Sequence, residues 1–346
     1  MTGPPDAALL AYLRDALAAP ALAFAEPPTP LKGGFDTQVF AFRLSGAPAR
    51  LAGPLILRLL GRRHDGRRAL RERAVQDAVA SQGYPAPRCF FASADPGPLG
   101  GAFLVMERRP GHPPIGARAL GMGGRLAEMQ ARLHALDPAV ALRAVAAAGL
   151  DPAGLTFAGH LAQLDARIRR HRLDGLQPAM DWVLARRPPP DERDVLCHGD
   201  FHPQNLLLDG KTVTGVLDWP NAVIAAPAAD VAATRLILAL TPIDVIGVPA
   251  PLRLAVAGGR RVLVRAYLRA WQRQGGPSPA ELAYHEAAAA MRWIVSFSEA
   301  RAGVTGEAPS ALERSAFTEL LAGRFAEVSG VKPAVPPPPP DAGRRP

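Results

Sequence analysis

The sequence predicts an α+β protein with two lobes, a small β-rich N-terminal lobe and a larger, mainly helical C-terminal lobe. Short apolar runs separated by glycine and proline fall within roughly the first hundred residues. Apolar positions spaced three and four residues apart dominate the rest of the chain. A hydrophobic content of 48% with 21% charged residues is typical of globular proteins and excludes wholesale disorder.

The individual elements follow from these periodicities. Helices are predicted over 6–18, 67–82, 125–136, 157–172, 228–240, 260–273, 279–300 and 310–327. Strand character is predicted over 31–42, 55–60, 102–106 and 206–218, with a proline-rich break at 27–30. The predicted boundaries are 1–107 for the first lobe, 108–332 for the second, and 333–346 for a disordered, proline-rich tail that packs against nothing.

The net charge and the cysteine content indicate which binding partners and which cellular compartment to expect. A formal charge of +9 suits anionic ligands, nucleic acid or an acidic membrane surface. No basic stripe interleaved with aromatic residues is present, so we expect no nucleic-acid binding. No uncharged run reaches the length of a membrane span and no signal pattern opens the sequence, so we expect no membrane partner and a cytoplasmic location. Two cysteines, Cys89 and Cys197, agree with a reducing compartment.

The residues best suited to metal binding and proton transfer lie in the segment 197–219. A turn signal at 209–210 predicts a hairpin that would pair position 205 with 214 and position 201 with 218. We therefore expect Asp200, Asn205 and Asp218 to converge. An amide oxygen beside a carboxylate is a hard oxygen site suited to Mg²⁺, and a second carboxylate can accept a proton from a hydroxyl. This combination is typical of phosphoryl transfer from a nucleotide–Mg²⁺ complex to an alcohol.

The order of these motifs resembles the aminoglycoside phosphotransferase family, which shares the protein-kinase fold. The central motif reads His198-Gly199-Asp200-Phe201-His202-Pro203-Gln204-Asn205 and is followed by Gly215-Val216-Leu217-Asp218-Trp219. Upstream, Gly33-Gly34 resembles the nucleotide loop, Leu57-Arg58 the strand with the phosphate-binding cation, and 104–111 the hinge that holds adenine. Residues 131–136 resemble the helix before the catalytic region, and 227–232 resemble a helix start with a structural aspartate, here Asp230. The resemblance covers roughly 30–235 of the chain.

The resemblance implies a role for each matching residue. Asp200 would be the catalytic base or would orient the acceptor hydroxyl, whereas Asn205 and Asp218 would hold Mg²⁺. Arg58, which replaces the usual lysine, would contact the α- and β-phosphates and pair with Glu72. The implied cofactors are ATP or GTP with Mg²⁺, and the implied partner is a small molecule with a hydroxyl group; the oligomeric state stays open. The implied nucleotide-binding residues of the first lobe and hinge are Gly33, Gly34, Arg58, Glu72, Met106, Glu107 and Arg109.

Two functions of other classes stay open beside this one. The first is a pseudokinase that binds nucleotide or a partner without catalysis, against which the intact acidic and amide residues argue. The second is a metallohydrolase built on His198, Asp200 and His202, which would need further ligands, although His285 is the only later histidine. We expect His198 instead to be a buried ring bonded to backbone. After residue 240, nine acidic residues face thirteen lysines and arginines, which predicts a neutral or anionic acceptor rather than a polycationic one.

Overall fold

The computed structural model describes residues 5–31, 37–61, 65–191, 193–243, 245, 248–306 and 308–338. The helices are α1 (Asp6–Ala16), α2 (Arg67–Ser81), α3 (Gly116–Leu120), α4 (Gly123–His134), α5 (Pro138–Ala147), α6 (Phe157–Arg170), α7 (Gln177–Ala185), α8 (Pro227–Leu240), α9 (Arg253–Gln272), α10 (Pro279–Arg301), α11 (Ala311–Arg314) and α12 (Phe317–Ser329). The strands are β1 (Ala23–Pro30), β2 (Thr37–Ser45), β3 (Leu55–Leu60), β4 (Cys89–Ser93), β5 (Phe103–Glu107), β6 (Val195–Cys197), β7 (Leu206–Asp209), β8 (Thr212–Val216) and β9 (Val223–Ala225).

The chain forms two compact units, and neither is a single continuous stretch. The first comprises Met1–Pro113, Ala139–Leu150 and Leu206–Pro220, and the second comprises Pro114–Pro138, Asp151–Asn205 and Asn221–Pro346. The predicted α+β class is confirmed. Sequence periodicity assigned 139–150 and 206–220 to the second lobe, because the order of segments along a chain does not reveal which unit each segment joins.

An antiparallel sheet with the order β1-β2-β3-β5-β4 forms the centre of the first unit. Side chains alternate between its faces. Leu55 and Leu57 of β3 join a core that includes Leu9 and Leu13 of α1. The opposite face carries Leu60, which packs with Ala69 of α2. Arg58 shares this second face, so the sheet directs the one cation of β3 toward the side where α2 lies.

The proline-rich segment 27–30 is part of a strand, so the predicted break is wrong. β1 pairs with β2 alone and is therefore an edge strand. Proline has no N–H to donate to a ladder, and edge strands with bulges are where sheets tolerate it. The pairing shifts register twice, between Phe24 and Glu26 and again between Glu26 and Thr29.

The hairpin of β7 and β8 exists, but its predicted register is wrong. Asp209 pairs with Thr212, so the turn residues are Gly210 and Lys211 rather than 209–210. Gly210 has φ +57°, and the turns favoured in two-residue hairpins require a positive φ at this position. A bulge between Leu207 and Leu208 shifts the ladder further, and Leu206 pairs with Val216. The expected pairing of position 205 with 214 is therefore absent from this hairpin.

Helix α10 forms the centre of the second unit. Its buried positions, including Ala287, Met291, Ile294 and Val295, pack in one core with residues of α6, α7, α8 and α12. A capping box of Ser278 and Glu281 begins α10, so its predicted start at 279 is confirmed. None of the helices that the structure describes is long and apolar enough to span a bilayer.

The last described segment, 331–338, packs against the second unit instead of being an unpacked tail. Pro333 is buried, Val335 packs on the core that contains α10, and the Ala334 N–H donates to the carbonyl of Gly175 (3.0 Å). Arg301 donates to the carbonyl of Pro336 at 3.2 Å. The prediction of disorder is therefore wrong for 333–336, because tertiary hydrogen bonds hold a segment with no regular structure of its own. Residues 339–346 lie outside the described residues.

The same arginine explains why the predicted helix over 310–327 is divided. Arg301 is buried, and it donates to the carbonyls of Glu313 (2.7 Å) and Ser315 (2.8 Å). Ser315 is extended at φ −70°, ψ 171°, and its hydroxyl accepts from the N–H of Phe317 at 3.2 Å. The chain therefore ends α11 at Arg314 and begins α12 at Phe317.

Replacing Val335 by aspartate should lower the free energy of unfolding by about 1–3 kcal/mol, because a carboxylate would replace an apolar contact with the core. Thermal unfolding of the full chain measures the effect. The matched control is Ala334→Asp at the adjacent exposed position, and equal melting temperatures for the two variants would contradict the packing of this segment.

Candidate active site

An ion-pair group that is largely shielded from solvent lies in the first unit. Arg58 of β3 donates through Nη1 to Oε1 of Glu72 in α2, and through Nη2 to Oδ1 of Asp218 at 2.7 Å. The Glu72 side chain is 1% exposed, and that of Arg58 is 15% exposed. Burial opposes the charge of Arg58, but the two carboxylates outweigh it and raise the pKa of Arg58 further. The predicted pairing of Arg58 with Glu72 is present in the structure.

Asp218 adopts a backbone conformation that few non-glycine residues adopt. Its φ is +69°, in the left-handed region, where aspartate is tolerated better than most residues. The following Trp219 is buried, donates from Nε1 to the carbonyl of Val216 at 2.9 Å, and meets Tyr84 edge-on at 6.0 Å between ring centroids. The anchored tryptophan holds the turn in which Asp218 lies, and such conformations concentrate at functional sites.

The predicted hinge, 104–111, continues β5 and contacts the hairpin of β7 and β8. The N–H of Glu107 donates to the carbonyl of Arg88 (3.0 Å), and the N–H of Arg108 donates to that of Pro54 (2.9 Å). Arg109 donates from Nε to the carbonyl of Thr214 at 2.8 Å. The part of the hinge that follows β5 has two backbone N–H groups with no hydrogen-bond acceptor among the described residues, those of Arg109 and Gly111.

The contact between hinge and hairpin requires glycine at position 111. Gly111 has φ +97°, and a Cβ atom there would lie 2.6 Å from the carbonyl carbon of Leu208. Two backbone hydrogen bonds join His112 and Leu208, at 3.1 and 3.0 Å. The hinge and the strands before Asp218 are thereby joined within the first unit.

The loop that contains Asp200 lies in the second unit and is held by one buried carboxylate. Asp230 of α8 accepts the N–H of His198 at 3.1 Å, the N–H of Gly199 at 2.9 Å, and a bond from Nε2 of His134 at 3.0 Å. Asp230 is fully buried. Burial opposes its charge, but the hydrogen bonds from His134 and the loop outweigh it, and the pKa of Asp230 is lowered.

Gly199 is held from both sides. Its carbonyl accepts a hydrogen bond from Nη2 of the buried Arg292 in α10, while its N–H donates to Asp230. Its φ is +75°, and a Cβ atom would lie 2.4 Å from the carbonyl oxygen of Asn221. No larger residue fits this position without moving the backbone, so the chain enters Asp200 in one conformation.

Asp200 and Asn205 follow on this loop and are both half-buried. Nδ2 of Asn205 donates to the carbonyl of Asp200 at 2.9 Å, which turns the amide oxygen away from that bond. His202 lies 3.8 Å from the Asp200 carboxylate. Asp200 and Asn205 belong to the second unit and Asp218 to the first, so the convergence of all three stays a prediction.

His198 is structural, as the sequence indicated. Its ring is fully buried, and its Nδ1 accepts the N–H of Asp200 at 3.2 Å. This removes a ligand from the metallohydrolase alternative. His134, Cys197 and Asp230 also bring ligand atoms within 4.8 Å of one another. However, Asp230 already accepts three hydrogen bonds within the second unit, so these contacts give the carboxylate a structural role.

Sequence reasoning identified some of these residues and missed others. Gly33 and Gly34, the predicted nucleotide loop, lie outside the described residues. Met106 is buried and contacts the amide of Gln76. The contact of His134 with Asp230 and that of Arg292 with Gly199 have no signal in the sequence, because each joins segments that are about a hundred residues apart.

Comparison with known proteins places this geometry in context. The model of a phosphotransferase enzyme family matches residues 28–260. A putative aminoglycoside phosphotransferase from Ralstonia eutropha JMP134 is 20% identical with a TM-score of 0.59, covering 94% of this chain and 98% of that one. A thermostable mutant of the aminoglycoside phosphotransferase APH(4)-Ia, solved with ADP and hygromycin B, is 15% identical with a TM-score of 0.56, covering 93% of this chain and 98% of that one. At these identities the likeness shows a shared fold.

Curated relatives match a shorter part of the chain. Acyl-CoA dehydrogenase family member 11 of Rattus norvegicus is 29% identical over 180 residues, which is 47% of this chain and 22% of that protein. The protein of the same name from Gallus gallus is 29% identical over 193 residues, 51% of this chain and 24% of that protein. The chain therefore matches less than a quarter of the length of either relative.

Replacing Asp230 by asparagine should lower the free energy of unfolding by about 3–5 kcal/mol, because an NH₂ group would then face donors that need an acceptor. Chemical denaturation at pH 7 measures the loss, and Asp181→Asn on the exposed surface of α7 is the control. Because the pKa of Asp230 is lowered from its usual 3.8, the advantage of the wild type is complete above about pH 4 and disappears as the pH falls through the folded-state pKa. A difference that is independent of pH would contradict this assignment.

Proposed function

Because the chain belongs to the phosphotransferase enzyme family, we propose that it transfers the γ-phosphate of ATP, or of GTP, to a hydroxyl group of a small molecule. The single observation that supports this most strongly is the contact of Arg58 with both Glu72 and Asp218. It holds a permanently charged guanidinium beside a carboxylate in an unusual backbone conformation. A phosphate-binding cation and a metal-binding carboxylate need this type of support.

In the proposed reaction Asp200 accepts the proton of the acceptor hydroxyl. The hydroxyl oxygen then forms a bond to the γ-phosphorus, and the bond from that phosphorus to the bridging oxygen of the diphosphate breaks. The nucleoside diphosphate leaves with the electron pair of the broken bond. The loop geometry supports this role, because Asp230 and Arg292 hold Gly199, the residue before Asp200, by its N–H and its carbonyl.

The residues present fit Mg²⁺. Carboxylate and amide oxygens are its preferred protein ligands, and the amide oxygen of Asn205 points away from the bond that Nδ2 makes. We propose that Asn205 and Asp218 hold the ion, which would neutralise charge on the transferred phosphoryl group. Arg58 then keeps the Asp218 carboxylate oriented and supplies positive charge to the α- and β-phosphates.

The hinge supplies the proposed adenine contact. Adenine would bind through backbone groups of 104–111, together with Met106, Glu107 and Arg109. The N–H of Glu107 is already used within the first unit, so the donor available to the base is the N–H of Arg109 or Gly111. The dehydrogenase activity that names the curated relatives is not part of this proposal, because those proteins are more than four times as long as the region matched.

Asp200→Asn should reduce turnover by about 10²–10⁴-fold, because the amide cannot accept the hydroxyl proton. Asp218→Ala should reduce it further, since it removes a proposed ligand of the metal and the partner of Arg58. The assay measures nucleoside diphosphate released over a panel of hydroxylated acceptors, and Asp209→Asn on the exposed hairpin is the matched control. Tight nucleotide binding without turnover by the wild type on any acceptor would favour a pseudokinase.

For the acceptor we propose a neutral or anionic compound. The chain after residue 240 has thirteen basic and nine acidic residues, and this excess of positive charge disfavours a polycationic acceptor. In the same assay, kanamycin-like compounds should be phosphorylated at least about tenfold less efficiently than the best neutral or anionic acceptor, a difference of roughly 1.4 kcal/mol. Efficient phosphorylation of kanamycin would overturn this part of the proposal and leave the phosphotransferase assignment intact.

A further inference from the structure

A buried polar cluster in the second unit connects helix α9 to the loop that carries Asp200. We call it the α9 cluster, and its members lie on α4, α8 and α9. Each is buried or nearly so. Polar groups placed in a core are costly unless they are hydrogen-bonded, so the bonds of this cluster are informative. The members are Gln130, His134, Asp230, Thr234, Tyr267 and Trp271.

The amide of Gln130 has a fixed orientation at the centre of the cluster. Its Nε2 donates to the hydroxyl oxygen of Thr234 at 2.9 Å. Its Oε1 accepts from the hydroxyl of Tyr267 and, at 3.4 Å, from Nε1 of Trp271. Reversing the amide would place its NH₂ group against Nε1–H of Trp271, which can only donate, so the observed orientation links α4 to α8 and α9.

His134 lies one helical turn after Gln130 and touches both Asp230 and α9. Its Nε2 is 3.0 Å from Oδ2 of Asp230, and its ring centroid is 5.4 Å from that of Trp271 at an interplanar angle of 31°. A carboxylate only accepts, so Nε2 carries the hydrogen. The buried Nδ1 has no partner among the residues that the structure describes. The ring is therefore positioned by Asp230 on one side and by Trp271 on the other.

Asp230 connects His134 to the loop that carries Asp200. The oxygen that accepts from His134 also accepts the N–H of His198 at 3.1 Å, and the other oxygen accepts the N–H of Gly199 at 2.9 Å. Without the imidazole, the carboxylate would lose the only side-chain donor that these contacts show. The two backbone donors alone would then define its rotation, and Asp200 follows directly in the chain.

We propose that His134, seated on Trp271 and kept in register by the Gln130–Tyr267 pair, is a positioning residue for Asp200. The inference rests on the proposed function and extends it. It makes catalysis depend on the C-terminal part of α9, because Tyr267 and Trp271 of that helix contact Gln130 and His134. Both residues lie beyond the family match, which ends at residue 260. A displacement of the reacting groups by about 1 Å can cost roughly 10²-fold in rate, so a small rotation of Asp230 is sufficient to matter.

Two variants separate the hydrogen bond from the packing of the ring. His134→Phe keeps an aromatic ring beside Trp271 and removes the donor, whereas His134→Gln keeps a donor and removes the ring. His134→Phe should lower kcat by about 10–100-fold, with the KM for ATP changed by less than about threefold, and His134→Gln should restore part of the loss. Tyr267→Phe should have a smaller effect in the same direction. The control is His171→Phe, a partly exposed histidine at the end of α6.

Amide hydrogen exchange gives a second readout that does not require turnover. In His134→Phe, peptides that cover 198–205 should exchange faster than in the wild type, while peptides from the α10 core should not change. The variant that combines His134→Phe with Asp200→Asn should have the same kcat as Asp200→Asn alone, because His134 acts through Asp200.

Wild-type kcat and unchanged exchange in His134→Phe would overturn the proposal. Faster exchange throughout the second unit, with kcat per folded molecule unchanged, would also overturn it and show a merely structural residue. If the wild type transfers no phosphate to any acceptor, the proposed function fails, and the exchange of 198–205 still decides whether His134 positions the loop.

Discussion

The structure of the loop that carries Asp200 depends on one buried charge, the carboxylate of Asp230. Removing an ion from water costs several kcal/mol unless the protein replaces its hydration. Here two backbone N–H groups and one imidazole N–H replace it. The same hydrogen bonds that stabilise the carboxylate also fix the positions of the groups that donate them. The sharp turn at Gly199, and therefore the position of Asp200, is the geometric result of satisfying that charge.

The first unit contains a second charged group, in which Arg58 lies between Glu72 and Asp218 and pairs with both carboxylates. Asp218 also retains solvent access, with 35% of its side chain exposed, while Glu72 is buried. The more exposed carboxylate is thus the one to which we assign the metal, and the buried one serves Arg58.

Elements with strong periodicity were predicted well. The helices α1, α2 and α10 begin within a residue of their predicted starts, because their apolar faces repeat at the helical period and α10 has a capping box. The edge strand β1 was missed, since its prolines are turn signals everywhere except at the edge of a sheet. The hairpin register was wrong because the turn lies at 210–211 rather than 209–210, and a bulge between Leu207 and Leu208 shifts the pairing further. The segment 333–336 is ordered by contacts from Arg301 and Gly175, which lie far away in the sequence.

The sequence by itself determined the type of the strongly periodic elements, the family and the chemical identity of Asp200, Asn205 and Asp218, because these depend on local patterns and on side-chain chemistry. Only the tertiary structure decided which side chains hold those residues. The pairing of His134 with Asp230 and of Arg292 with Gly199 joins segments separated by 96 and 93 positions. No local pattern encodes such contacts, because they arise only when helices pack and buried charges must find partners.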